Sequence, residues 1–185
     1  VQGIEVQLDW LPTDNLRLAM ALAYYDSELK DDYCDTDSVD FDNDGDILEC
    51  AFDEDTGLPS IKAPEGTALP ITPDFKGNLI ARYSFPVGAF NAYTQGTFAY
   101  QSSTTSQLEL VDNEAYGDIP SSTFVNLAFG VEKEKYSVEL FLANATNEDV
   151  PLGVTSECTP GVCGIQTKGV KARPRTIGIR YSHNF

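Results

Sequence analysis

Apolar and polar residues alternate along most of this chain. In the first segment Ile4, Val6, Leu8 and Trp10 oppose Gly3, Glu5, Gln7 and Asp9. In the second, Leu16, Leu18, Met20, Leu22 and Tyr24 alternate with Asn15, Arg17, Ala19, Ala21 and Ala23. Five further segments repeat the pattern, from Leu79-Ala81-Tyr83-Phe85 to Ile177-Ile179-Tyr181-His183-Phe185. A period of two makes a strand with one apolar and one polar face, whereas an amphipathic helix needs apolar residues at i, i+3, i+4 and i+7. The pattern predicts an all-β, antiparallel chain of about seven strands and no convincing helix. Strands are expected near 1–11, 15–27, 75–86, 90–103, 121–133, 135–146 and 173–185, with long loops at 28–74, 104–120 and 147–172. Val1 to Trp10 already alternates, so the chain is expected to begin inside a structural element, as a piece of something longer.

Such strands suit either a soluble sandwich with its apolar face inward or a membrane barrel with that face toward lipid. Glu5, Asp9, Arg17, Arg82, Glu139 and Arg180 all fall in the polar register, as either setting requires. The rhythm of the connections separates the two. Short links alternate strictly with long ones, as in outer-membrane barrels, whose turns are short on one side and loops long on the other. Compact soluble domains seldom use loops above about 15 residues. Trp10, Tyr24, Tyr25, Phe85, Tyr136 and Phe185 fall at strand ends, where interfacial girdles would place them.

Charge sharpens this picture. The 185 residues carry 29 acidic and 12 basic side chains, a formal net charge of −17. Segment 26–74 alone holds 16 acids against Lys30 and Lys62, and the remainder is nearly neutral. That balance excludes a nucleic-acid partner, which needs clustered Lys and Arg. No apolar run approaches the roughly 20 residues of a membrane helix.

The tail Ala-Arg-Pro-Arg-Thr-Ile-Gly-Ile-Arg-Tyr-Ser-His-Asn-Phe, residues 172–185, resembles the last strand of TonB-dependent outer-membrane receptors. Residues 138–149 resemble that family's penultimate strand and its Asn-containing exit, with Ala145 departing from the larger apolar residue expected there. Segments 11–18 and 71–79 look like family strand starts. The resemblance implies the C-terminal part of a 22-stranded outer-membrane barrel, without its plug domain. It implies uptake of a scarce ligand such as a ferric siderophore, cobalamin or a glycan, energised by TonB through the plug, and no catalysis. It also implies that Phe185 and Tyr181 form a signal read by the barrel-assembly machinery. Outer-membrane lipid and lipopolysaccharide would be partners in the bacterial outer membrane. Rival readings are a small independent outer-membrane barrel with an adhesin or structural role, and a soluble calcium-binding β-sandwich.

Three groups are site-like. Asp40, Asp42, Asp44 and Gly45 match the opening D-x-D-x-D-G of a calcium loop, with Asp46 and Glu49 as further ligands. The full EF-hand pattern fails, because Ala51 occupies the twelfth position. A solvated acidic loop is the alternative. Cys34 with Cys50 and Cys158 with Cys163 form two local pairs, expected as disulfides in an extracytoplasmic compartment. Free thiols or zinc are the alternatives, and zinc is poorly served by a single His. Lys168, Lys171, Arg173 and Arg175 precede the last strand, either as an ordinary polar rim or as a group meeting lipopolysaccharide phosphates. No arrangement of nucleophile, base and acid stands out.

Overall fold

A computed structural model describes residues 1–34, 39–41, 47–50, 60–156 and 167–184. Seven long strands form one antiparallel sheet: β1 (Gln2–Thr13), β2 (Leu16–Asp26), β7 (Phe75–Val87), β8 (Phe90–Gln101), β9 (Ser122–Lys133), β10 (Tyr136–Ala143) and β13 (Thr176–His183). Their spatial order is their order in the chain, a meander with hydrogen bonds from β1 through to β13.

The register keeps the charges of the strand interiors on one face and the main apolar row on the other. Trp10 pairs with Leu18, Leu18 with Ala81, Ala81 with Gly96, Gly96 with Leu127, Leu127 with Leu142 and Leu142 with Ile177. One apolar row therefore crosses all seven strands. A slip of one residue at any pair would send that strand's apolar set to the opposite face. Tight turns close one end of the sheet. Gly88 turns there at φ +60, and Glu134 adopts φ +49.

Among the described residues no core lies between two layers. Ile179 is 74% exposed, Ile4 69%, Leu127 49% and Leu140 47%. Soluble domains bury such residues, so a sandwich with Leu18, Leu127 and Leu140 in a shared interior is ruled out. The fully buried larger side chains among the described residues, Ile119 and Pro73, belong to the long connections.

The structure corrects several details. The long connections carry elements of their own: β3 (Tyr33–Cys34) pairs with β6 (Ile61–Ala63), β4 (Val39–Phe41) with β5 (Ile47–Cys50), and β11 (Pro151–Ser156) with β12 (Thr167–Lys171). These pieces of two to six residues are too short to display a period. A seven-residue helix, α1 (Leu110–Tyr116), forms where only loop is expected. Leu110 and Val111 are exposed, so it has no apolar stripe to read. Hydrogen bonds from a side chain inside the helix to its flanks hold it instead. Asn113 Oδ1 accepts from the Ser106 N–H at 2.9 Å, Asn113 Nδ2 donates to Asp118 at 3.0 Å, and Gly117 ends the helix at φ +77. The strand expected over 135–146 stops at Ala143, because Asn144 turns to φ +48. The last strand begins at Thr176 rather than 173, after Pro174, which has no N–H for a ladder.

Candidate functional site

Two aromatic groups bracket the apolar face. Tyr24, Phe75 and Tyr100 stand at the long-loop end, with the Phe75 and Tyr100 rings 6.0 Å apart. Trp10, Tyr83, Phe85, Tyr136 and Tyr181 stand toward the short-turn end, and His183 stacks on Tyr136 at 4.5 Å. From Phe75 to Phe85 is roughly 33 Å along a strand at about 3.3 Å per residue. Tilted by about 40°, that projects to roughly 25 Å, the height of a barrel's apolar band. Tyr25 leaves the expected girdle. It pairs with Gly3 on the polar face, and its hydroxyl bonds to Glu5.

The polar face carries linked charges. Arg17 Nε donates to Asp9 Oδ1 at 3.0 Å. The Arg82 guanidinium lies 3.6 Å above the Tyr93 ring, and the Tyr93 hydroxyl donates to Glu139 Oε2 at 2.6 Å. Glu139 also binds Arg180. The chain of contacts thus runs from β7 through β8 and β10 to β13, with both charges of Glu139 and Arg180 compensated. Rings repeatedly lie over glycines on this face. A Cβ on Gly130 would come within 2.3 Å of Tyr93, and one on Gly178 within 2.4 Å of Phe141. Surface recesses open here too, one of about 330 Å³ lined by Glu5, Ala21, Tyr25, Lys76, Asn78 and Gln101. Nothing on this face combines a nucleophile with a base.

At the long-loop end the connections bind one another. Leu69 N–H donates to the Ser27 carbonyl at 2.9 Å, and Ile71 N–H to the Thr105 carbonyl at 3.0 Å. Lys30 donates to Glu28 at 2.6 Å and holds that carboxyl below its usual range. Asn144 is buried and saturated. Its Nδ2 donates to the carbonyls of Glu148 and Arg173, each at 2.9 Å, and its Oδ1 accepts from the Glu148 N–H at 2.8 Å. Its own N–H donates to Asn126 Oδ1 at 2.9 Å. In the sequence, Asn144 stands out as a strand exit and as the first residue of an Asn-Ala-Thr triplet. The structure makes it the knot joining β9, β10 and the approach to β13.

Charge is partitioned between sheet and loops. Segments 26–74, 102–121 and 144–175, the long connections of the chain, hold 23 of the 29 acids and 6 of the 12 bases. The strands and short turns hold six of each, so the loops carry the whole net charge of −17.

Cys34 and Cys50 are joined, with Cα atoms 5.4 Å apart. Asp40 and Glu49 pair across the β4–β5 hairpin. Asp42, Asp44, Asp46, Cys158, Cys163 and Phe185 lie outside the described residues. Among the described residues, no cluster of three potential metal ligands occurs. Tyr181 lies on the apolar face, paired with Val138.

No family model and no curated protein matches the chain in sequence. Solved structures match it in fold. The ferric preacinetobactin receptor BauA from Acinetobacter baumannii superposes at a TM-score of 0.62 with 16% identity, covering 99% of this chain and 22% of that one. The siderophore receptor PiuA from the same organism gives 0.62 and 14%, covering 97% and 21%. The chain therefore has the fold of a stretch of receptor β-barrel wall, and it spans about a fifth of the length of the receptors it resembles.

Proposed function

We propose that the chain is the C-terminal wall of an outer-membrane receptor that takes up a scarce ligand, a ferric siderophore being the leading class, with energy from TonB through a plug domain. The observation that carries this reading is the contrast between the faces: an exposed apolar row across seven strands, backed by a face with linked charges. Lipid covers the first and a filled barrel interior the second. The fold similarity to two siderophore receptors supports the ligand class. In this reading the long loops are extracellular, the short turns periplasmic, and the terminal Phe185 with Tyr181 is read by the assembly machinery. The protein binds and passes its ligand without chemical change.

Fractionation of cells producing the protein should place it in the outer membrane. Disrupting the gene should reduce accumulation of radiolabelled ferric siderophore under iron limitation, and disrupting TonB should reduce it equally. Undiminished uptake across a panel of siderophores would move the reading to another ligand class, and uptake unaffected by TonB would remove the energised mechanism.

A further inference from the structure

We propose that Ile71 is a strained clasp that pins the end of connection 26–74 to the start of connection 102–121, and that this joint opens locally while the sheet stays intact. Ile71 stands at φ +58, the one β-branched residue in the left-handed region among the described residues. Sterics disfavour that backbone for any residue with a Cβ, and most of all for a branched one. Ile71 gains no packing in exchange, being 63% exposed. Its neighbours cannot share the strain. Pro70 fixes its own φ, and the fully buried Pro73 fixes its own and keeps Thr72 extended. A turn in which proline precedes a positive φ takes Gly or Asn at that second place.

A contact between the two connections holds Ile71 there. Its N–H donates to the Thr105 carbonyl at 3.0 Å, and two residues earlier the Leu69 N–H donates to the Ser27 carbonyl at 2.9 Å. The residues that accept these two bonds also carry the buried side-chain oxygens that lack a partner among the described residues, Ser27 Oγ and Thr105 Oγ1. A buried hydroxyl without a partner has given up its water for nothing. Backbone strain and two unmet hydroxyls thus meet at one joint. Opening relieves all three, because Ile71 returns to an extended backbone and both hydroxyls reach water.

Below the clasp lies ordinary ladder. The Tyr25 N–H donates to the Asp74 carbonyl at 2.8 Å and the Ser102 N–H to the Phe75 carbonyl at 2.9 Å, extending the pairing of β2 with β7 and of β7 with β8. Opening leaves those bonds in place. The Lys62–Glu109 ion pair, at 3.8 Å between half-exposed side chains, is a weak second tie between the same connections. Tyr25 and Gln101 also line the recess on the polar face, so the clasp stands at its rim. The device depends on the fold alone and stands apart from the receptor reading.

The test is amide-resolved hydrogen exchange on the full protein folded in detergent, in water and in urea below the unfolding transition. In the wild type the Leu69 and Ile71 amides should exchange at rates that urea does not change, whereas those of Leu79 and Ala81 in β7 should quicken as urea rises. A local opening exposes little new surface, so the sheet responds to urea and the clasp does not. Ile71→Asn and Ile71→Gly suit a left-handed backbone and should slow exchange at Leu69 by at least about three-fold. Ser27→Ala removes one unmet hydroxyl and should slow it by about two-fold or more. Ile71→Val, still branched, should leave it unchanged. Leu69 exchange that rises with urea in step with β7 would overturn the clasp, since the joint would then open only with the sheet. Unchanged or faster exchange in both Ile71→Asn and Ile71→Gly would overturn it too. The urea arm needs no variant, so a substitution that prevents folding leaves the proposal exposed to refutation. Siderophore uptake bears on the receptor reading and not on this result.

Discussion

The Tyr93 ring lies across Gly130, its directly paired neighbour on β9, and reaches Glu139 on the strand beyond. The bond spans two strand spacings, and it forms because residue 130 has no side chain. Gly130→Ala should push the ring off its path and break the bond to Glu139, destabilising the barrel by about 1–3 kcal/mol, as overpacking does. Tyr93→Ala added to Gly130→Ala should couple non-additively, since the clash needs both partners. Thermal unfolding in detergent is the measurement. Unchanged stability of Gly130→Ala would mean that the ring has another place to go.

Leu140 and Gln95 test which face meets lipid. Leu140→Arg should cost roughly 2–4 kcal/mol near the bilayer midplane. Gln95→Glu, which sets a charge on the polar face directly opposite Arg82, should stay within about 0.5 kcal/mol. Urea titration of protein folded into vesicles compares them, and equal effects would contradict the assignment of faces.

Asn144 takes part in six hydrogen bonds from a left-handed backbone. Asn144→Ala keeps the backbone donor to Asn126 but leaves the Glu148 N–H and the Arg173 carbonyl without their partner. A loss on the order of 2–3 kcal/mol is expected, with faster hydrogen exchange at Glu148 and Ala172 and little change at β7. Asn144→Asp should fall between, because it retains the acceptor for Glu148. Uniformly faster exchange would make the residue a general stabiliser rather than a local knot.

Reduction of Cys34–Cys50 should speed protease cleavage within 28–74 while the seven-stranded sheet persists. Our proposal that Asp40, Asp42, Asp44, Asp46 and Glu49 take calcium is decided in the same assay. Millimolar calcium should slow cleavage relative to chelator, and Asp42→Ala with Asp44→Ala should abolish the difference. Equal cleavage rates would leave only a solvated acidic loop.

The sheet was legible because lipid imposes period two over many residues, so Ile177, Ile179 and Tyr181 declare their face without any partner in view. Tyr24 and Tyr25 were grouped together at a strand end, although neighbours in a strand point oppositely. Only Tyr24 belongs to the girdle. Asn144 was illegible as a knot, since its partners at 126, 148 and 173 meet only in the fold. Helix α1 rests on a few local hydrogen bonds and the small hairpins on two to five paired residues, and neither leaves a repeat in a sequence.

Long connections with a net charge of −17 would make the medium part of the proposed receptor's selectivity. Screening lengths run from roughly 30 Å at 0.01 M salt to about 8 Å at 0.15 M. In dilute water an anionic solute meets repulsion well before it touches the loops, and a cationic one is drawn in. In brine both arrive at nearly neutral odds. If the chain is a receptor wall as proposed, capture of anionic cargo should quicken as salinity rises and capture of cationic cargo should slow, so the habitat's salt would help decide what arrives.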